Sequence, residues 1–140
     1  MDETKMGAYT HKVQYYETDQ MGIVHHSNYI RWFEEARTDI LERAGMSYRA
    51  MEEKGVIIPV LEAHAQYKTM THYGETVEIY VKTKSYNGIT IVLEYEVRDK
   101  DTREVRCVGE TKHCFLNGEG KIMSLKKTKP EIHQIFQNLS

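Results

Sequence analysis

The side chains most able to do chemistry lie together in a short stretch near the start of the chain. Asp19, His25 and His26 fall within eight residues, directly ahead of the longest helical pattern in the sequence. A helix N-terminus presents free backbone N–H groups and a partial positive charge. A carboxylate beside it can attack a carbonyl or activate water while the helix end polarises that carbonyl. The spacing therefore permits a hydrolytic site.

The same stretch also has a simpler interpretation. Asp19 can cap a turn, and His25 and His26 can be solvated loop residues; spacing alone favours this alternative. Gly22 lies between the acid and the histidines, where it lets the backbone turn sharply or approach a ligand closely. A metal site at these side chains is not predicted, because no further ligand spacing supports one.

A long helix is predicted after this loop, and its apolar side is broad enough to be packed into a core. Ser27 or Asn28 is the predicted N-cap, and Gly45 the predicted end. Arg37 falls on the apolar side, which predicts a buried or interfacial ion pair with a carboxylate. The apolar side consists of Tyr29, Trp32, Phe33, Ala36, Ile40 and Ala44.

Composition excludes several classes of protein. At 140 residues with a net charge of −2, the chain is expected to be one domain spanning 1–140, without the basic surface that nucleic acids require. No apolar run is long enough for a membrane span, and the first ten residues do not resemble a signal peptide. The two cysteines, Cys107 and Cys114, fall on opposite faces of one predicted strand and cannot bridge. These features predict a reduced, cytoplasmic protein.

Alternating apolar residues predict most of the rest of the chain as strands. The first half of the second strand is apolar on both faces, which predicts burial, and Pro59 marks an edge, a bulge or a strand start. Asn87-Gly88 predicts a hairpin with a type I′ turn. A short helix is predicted between Ser47 and Gly55, and Pro130 opens a C-terminal helix. The predicted strands are 9–15, 56–67, 75–85, 88–98 and 103–117.

This order of elements predicts an α+β fold. One strand and two helices precede four consecutive strands joined by hairpins, so a parallel doubly wound sheet is excluded. The strands are expected to form one antiparallel sheet with an apolar face, and the long helix is the only element large enough to cover it. The prediction is an antiparallel sheet of five to six strands wrapped around a long central helix.

The loop and the helix together resemble a known family. The run YETDQMGIVHHSNY at 16–29 and its continuation WFEEAR at 32–37 are similar to the hotdog-fold 4-hydroxybenzoyl-CoA thioesterase family, in its YbgC-like acyl-CoA thioesterase branch. The resemblance implies an enzyme that hydrolyses an acyl-CoA thioester to a carboxylate and free CoA. The sequence departs from the family pattern after the second strand, where Met70 and Glu75 stand in place of a proline and an aspartate.

The resemblance also implies roles for individual residues. Asp19 falls on the family's catalytic carboxylate, as nucleophile or general base, and His26 lies at the helix N-terminus whose backbone N–H polarises the carbonyl. The family needs no cofactor and no metal, acts on acyl-CoA or on acyl carrier protein, and forms dimers or tetramers with active sites between subunits. Residues expected to contact substrate are Gly22, Val24, His25, Tyr29 and His64, although His64 can equally face solvent.

Two other functions stay open from the sequence. A hotdog dehydratase acting on 3-hydroxyacyl thioesters would need a histidine and a carboxylate placed in another arrangement. A non-catalytic module that binds acyl thioesters or docks a partner would keep the fold without turnover. Retention of an aspartate at position 19 argues against this second alternative.

Overall fold

One antiparallel sheet of five strands forms the frame of the protein. The computed structural model describes residues 7–140, and the first six residues, on which part of the signal-peptide expectation rests, lie outside that range. The strands follow the order β1-β3-β4-β5-β2 across the sheet. Their bounds are β1 Ala8–Lys12, β2 Val60–Tyr67, β3 Thr76–Tyr86, β4 Thr90–Asp99 and β5 Val105–Cys114.

A long helix, α1 (Ser27–Arg43), covers the apolar face of this sheet. Trp32 and Phe33 lie on the side of α1 that faces the sheet and are fully buried. Phe33 stacks on Tyr95 of β4 with ring centroids 4.3 Å apart. Burial of each such aromatic side chain stabilises the fold by roughly 2–3 kcal/mol. A Cβ at Gly109 of β5 would lie 2.5 Å from the Phe33 ring, so glycine there permits the close contact. The predicted α+β hotdog arrangement is confirmed.

Both ends of α1 show how local chemistry sets its limits. The predicted N-cap, Ser27 or Asn28, is wrong, because Ser27 is already helical and His26 occupies the cap position without a capping side chain. The helix ends at Arg43, and Gly45 adopts a φ of 95°, which only glycine accepts easily. The predicted end is therefore confirmed.

The first strand is shorter than the predicted span 9–15. It stops at Lys12, and residues Tyr15–Glu17 form a turn of 3-10 helix. The backbone N–H of Gln14 donates to the Glu17 carboxylate at 2.8 Å, and this capping interaction pulls the chain out of the sheet. Alternation of side chains could not reveal it.

The second predicted strand was expected to be buried in its first half, and this is confirmed for Val56 but wrong for the first residues of β2. β2 lies at an edge of the sheet, where Val60 and Leu61 are 47% and 50% exposed in this chain. It pairs with β5 rather than β3, so the predicted hairpin between the second and third strands does not form. Segment 68–75 instead crosses the sheet from β2 at one edge to β3, which lies beside β1 at the opposite edge. Pro59 directly precedes the first residue of β2, in agreement with the predicted strand start.

The hairpin between β3 and β4 is confirmed, but its turn differs from the predicted type. Gly88 has a φ of 88°, whereas Asn87 is not among the residues with positive φ, so the turn is not type I′. The Asn87 side-chain oxygen accepts hydrogen bonds from the N–H groups of Ile89 and Thr90 at 2.9 and 2.8 Å. This bond pattern, typical of asparagine in turns, favours a longer loop.

Three short helices complete the described chain. Ser47 caps α2 (Tyr48–Glu53), accepting a hydrogen bond from the Ala50 N–H at 3.1 Å as predicted. The others are α3 (Leu125–Thr128) and α4 (Pro130–Asn138), which begins at the predicted proline. Cys107 and Cys114 are buried and free, in agreement with the prediction that they do not bridge. Within 7–140, no helix has both the length and the apolar character that a membrane crossing requires.

Arg37 is buried as predicted, and its expected carboxylate partner is Glu34, at the long limit of an ion pair. The nearest acid, Glu34, is largely exposed, and its Oε1 lies 4.0 Å from the Arg37 Nη2. The Arg37 Nε and Nη1 atoms have no hydrogen-bond partner in the described part of the chain. Burial alone would lower the Arg37 pKa, but the neighbouring Tyr95 and Tyr48 outweigh it and raise that pKa. The guanidinium therefore stays charged inside the protein.

Candidate active site

The loop that carries Asp19 folds back on itself in a narrow ladder. The Asp19 N–H donates to the Ile23 carbonyl at 2.8 Å, and Thr18 forms a bridge with Val24. Gly22 makes the return possible because its φ is 76°. The resulting turn places Asp19 opposite Ile23, on the approach to α1.

The Asp19 carboxylate is held by only one of its oxygens. Its Oδ1 accepts a hydrogen bond from the Met21 N–H at 2.8 Å, the turn-capping role of the simpler interpretation. From the residues described, Oδ2 receives no hydrogen bond, and the side chain is partly exposed. An aspartate in this position can cap its turn and still present a reactive oxygen.

The start of α1 leaves one backbone donor available. The Ser27 N–H donates to the His25 Nδ1 at 3.2 Å, and the Asn28 N–H donates to the His25 carbonyl at 3.0 Å. The His25 N–H itself donates to the Glu17 carbonyl at 2.9 Å. For the His26 N–H, by contrast, residues 7–140 supply no acceptor. The helix end therefore offers one free donor together with its positive dipole.

A cavity of about 500 Å³ opens beside this donor. Its aromatic wall is fixed by hydrogen bonds: the Tyr29 hydroxyl donates to the Thr71 Oγ1 at 3.0 Å, and the Tyr67 hydroxyl donates to the His26 carbonyl at 3.3 Å. Burial raises the pKa of Tyr29, so its hydroxyl keeps its proton. The lining residues are Ile23, Val24, His26, Tyr29, Tyr67, Lys68, Thr69 and Met70. The cavity is thus mostly apolar with a few oriented polar groups, as acyl pockets are.

The predicted site residues fall into three positions. Val24, His26 and Tyr29 line the cavity. Asp19, Gly22 and His25 belong to the adjoining loop and helix entry without lining it. His64 lies on β2 and borders two other surface clefts.

Sequence reasoning assigned no role to Tyr67 or Thr71. Tyr67 ends β2, and the Thr71 carbonyl accepts a hydrogen bond from the Val24 N–H at 2.8 Å. Both lie in or next to the segment that crosses the sheet from the edge strand β2 to β3. That crossing brings them to α1, and only the sheet order reveals it.

Glu17 is a third residue to which the sequence assigned no role. It is 5% exposed, and its carboxylate accepts hydrogen bonds from the His11 ring and the Trp32 indole at 2.8 and 2.7 Å. Burial raises the Glu17 pKa, but the hydrogen bonds from Gln14, His11 and Trp32 together outweigh it, and the net pKa lies below the ordinary value. Glu17 is therefore a buried carboxylate that stays ionised.

Metal chemistry finds no support in the arrangement of side chains. Throughout residues 7–140, no three histidine, cysteine or acidic side chains group closely enough to hold a metal ion. Two groups of the site, the Asp19 carboxylate and the His26 N–H, lie on the loop and at the helix end beside the cavity. These two can attack and polarise a carbonyl.

A family model described as the thioesterase-like superfamily matches residues 13–136. The chain belongs to this superfamily. Thioesterases hydrolyse thioesters, so the match identifies the chain as an enzyme of this class. The Asp19 loop and the first half of α1 lie inside the matched range.

Individual thioesterases resemble the chain over most of its length. It is 35% identical over 127 residues to the candidate acyl-CoA thioesterase YneP of Bacillus subtilis, covering 90% of this chain and 91% of YneP. It is 27% identical over 86 residues to the acyl-CoA thioester hydrolase YbgC of Escherichia coli O6:H1, covering 61% of this chain and 64% of that protein. The crystal structure of DHNA-CoA thioesterase from Staphylococcus aureus superposes with a TM-score of 0.87 at 30% identity, covering 94% and 88% of the two chains.

Proposed function

We propose that this thioesterase hydrolyses acyl-CoA, with Asp19 as nucleophile or general base and the His26 N–H as the donor that polarises the thioester carbonyl. The observation that carries the proposal is the His26 N–H, which has no acceptor within residues 7–140 and lies at the end of the loop ladder that holds Asp19, beside an apolar cavity. Relatives whose names specify acyl-CoA as substrate support the same substrate class.

The proposed chemistry needs few groups. As the tetrahedral intermediate forms, negative charge develops on the carbonyl oxygen, and a fixed N–H at a helix end stabilises that charge. The Asp19 carboxylate either attacks the carbonyl carbon, expelling CoA thiolate and leaving an Asp19–acyl anhydride that water then hydrolyses, or it removes a proton from a water that attacks the carbonyl directly. A thiolate is a good leaving group, because its conjugate acid has a pKa near 8.5. No separate strong acid is then required.

The substrate would lie with its acyl group in the cavity. Val24, Tyr29 and Tyr67 offer apolar surface for that group, with Gly22 in the turn that lets the thioester approach. His25 supports the helix entry through its ring nitrogen. Lys68 lines the same cavity and carries the positive charge that a CoA phosphate would meet.

The proposal includes assembly into homo-oligomers, dimers or tetramers, as the family resemblance implies. β2 is an edge strand whose outer side pairs with no strand of residues 7–140, and the apolar side chains of Val60, Leu61 and Tyr67 are exposed on it. Such an edge is a template for pairing with another strand. In a dimer built there, His64 would be available to the partner's site. The cytoplasm is the proposed location, since two free cysteines are typical of a reducing compartment.

The proposal is tested by free-thiol release across short, long, branched and aromatic acyl-CoAs and one acyl carrier protein thioester. Wild type and Asp19→Asn are assayed side by side, with Asp101→Asn in an exposed turn as the matched control. The asparagine oxygen can still accept from the Met21 N–H, so the turn should persist. We expect the Asp19 variant to lose at least about 100-fold in kcat.

Other outcomes would decide between the alternatives. Equal turnover in the Asp19 variant would contradict the proposed mechanism. Hydration or dehydration of 3-hydroxyacyl or enoyl thioesters without thiol release would favour the dehydratase. Ligand binding without any turnover, by a folded protein, would favour the non-catalytic module.

A further inference from the structure

Glu17 gathers donors from three separate parts of the chain. Its carboxylate accepts hydrogen bonds from the His11 ring of β1 at 2.8 Å, the Gln14 N–H at 2.8 Å and the Trp32 indole of α1 at 2.7 Å. Each donor lies in a different element, so one buried charge joins β1, the 3-10 turn and α1. Hydrogen bonds to a charged acceptor are the stronger ones.

The backbone carbonyl of Glu17 holds the start of α1 in the same way. It accepts a hydrogen bond from the His25 N–H at 2.9 Å and one from the side-chain amide of Asn28 at 2.8 Å. Asn28 is itself buried. The residue thus fixes both sides of the site, because Asp19 lies two residues after Glu17 and His26 directly follows His25.

We propose that Glu17 is a positioning residue for the reaction, which sets the distance between the Asp19 carboxylate and the His26 N–H. This inference rests on the proposed function of those two groups. Glu17 does not line the cavity and is almost fully buried, so it contacts no substrate. It acts on catalysis indirectly. Its hydrogen bonds to β1 and α1 hold the loop segments that carry Asp19 and His26.

A neutral isostere should disturb this arrangement. Glutamine at position 17 offers one acceptor oxygen and one NH₂ group, whereas three donors converge on the native carboxylate. At least one donor would then face another donor inside the protein, and the local chain must move to relieve it. Displacements of about 1 Å at reacting groups lower rates by about 100-fold.

The inference is tested by kcat, KM and thermal midpoint for Glu17→Gln and Trp32→Phe, both assayed well below their midpoints. Trp32→Phe removes one donor to Glu17 and keeps an aromatic ring in the core. We expect kcat to fall at least about 10-fold for Glu17→Gln and by less for Trp32→Phe, with KM nearly unchanged. Glu35→Gln is the matched control, because Glu35 lies 3.9 Å from the other His11 nitrogen and has no hydrogen bond to the loop among the described residues.

A conservative exchange at His11 adds a rescue. His11→Gln can still donate to the Glu17 carboxylate and should keep kcat near wild type, whereas His11→Leu should lower it. A role in stability alone would move the thermal midpoints and leave kcat of the folded enzyme unchanged in every variant, which would overturn the inference. If Glu17→Gln does not fold, an unchanged kcat for both Trp32→Phe and His11→Leu overturns it equally.

The Asp19→Asn variant separates this inference from the proposed function. An inactive Asp19→Asn with a fully active Glu17→Gln would contradict the positioning role alone. An active Asp19→Asn would contradict the proposed mechanism itself, whatever Glu17→Gln does.

Discussion

Two groups of polar residues surround buried charges beside α1, and they differ in how fully those charges are satisfied. The Glu17 cluster (Glu17, His11, Gln14, Asn28 and Trp32) gives the Glu17 carboxylate three donors, and Asn28 together with the His25 N–H gives the Glu17 carbonyl two. The Arg37 cluster (Arg37, Tyr48, Tyr95, Thr111 and His113) leaves the Arg37 Nε and Nη1 and the His113 Nδ1 without partners among the described residues.

Their surroundings differ as well. The Glu17 cluster adjoins the loop and helix end that border the open cavity of about 500 Å³. Arg37 and His113 instead line an internal cavity of about 20 Å³, which is room for about one water molecule. A fully bonded buried charge fixes geometry, whereas an incompletely bonded one chiefly lowers stability. We therefore expect function to depend on the first cluster and acid stability on the second.

The largest expected effect on stability concerns His113. Burial, followed by the nearby Arg37 charge, lowers the pKa of His113 from 6.5 to about 4. Between pH 6.5 and pH 4, His113 is protonated in the unfolded chain but neutral in the folded protein. The free energy of unfolding therefore falls as the pH is lowered through this interval. The loss is on the order of 3 kcal/mol.

Urea unfolding at pH 7 and pH 4.5 checks this expectation. His113→Gln keeps a polar side chain without titrating, and it should lose less stability than wild type over the same interval. Equal acid sensitivity in the two proteins would assign the loss to other groups, Glu17 among them, since its lowered pKa also makes stability fall at acid pH.

A smaller effect is expected from Arg37→Met. Methionine removes a buried charge and fills the site with an apolar side chain, so the free energy of unfolding should stay unchanged or rise by about 1 kcal/mol. The turnover number should equal that of wild type.

Arg37→Met also removes one cause of the low His113 pKa, so the stability of this variant should depend less on acid pH than that of wild type. Urea unfolding and thiol release measure these quantities; a loss of more than about 3 kcal/mol would show that Tyr48 and Tyr95 satisfy the guanidinium.

The sequence predicts the parts of the site that are local along the chain. Asp19, Gly22 and the start of α1 lie within about ten residues, and their loop and helix follow from composition and period alone. The core face of α1 and the buried alternation of β3 follow in the same way, with Val77, Ile79 and Val81 all buried.

Contacts between distant segments could not be predicted. The pairing of β2 with β5 places an apolar strand at an edge, where a local pattern indicated burial. Likewise, the donors to the Glu17 carboxylate come from residues that lie before and after it, up to fifteen positions away. The family resemblance put His26 at the helix N-terminus, but the residues themselves favoured Ser27 or Asn28 as N-cap, because the His26 side chain does not cap and the ring of His25 takes the Ser27 N–H instead.

The central claim is that the backbone N–H of His26, rather than its imidazole, polarises the substrate carbonyl. Position 26 has a φ of −54°, close to the value that proline requires, and its N–H has no protein acceptor among the described residues. His26→Pro therefore deletes the proposed donor, while His26→Ala deletes only the ring.

The direct measurement is kcat of these two variants on the best acyl-CoA substrate, with circular dichroism to establish that both are folded. Loss of one such donor typically lowers kcat by about 100- to 1,000-fold. We expect that loss for His26→Pro and a kcat within about fivefold of wild type for His26→Ala, because only the first variant lacks the N–H. A folded and fully active His26→Pro, or an inactive His26→Ala, would contradict the account.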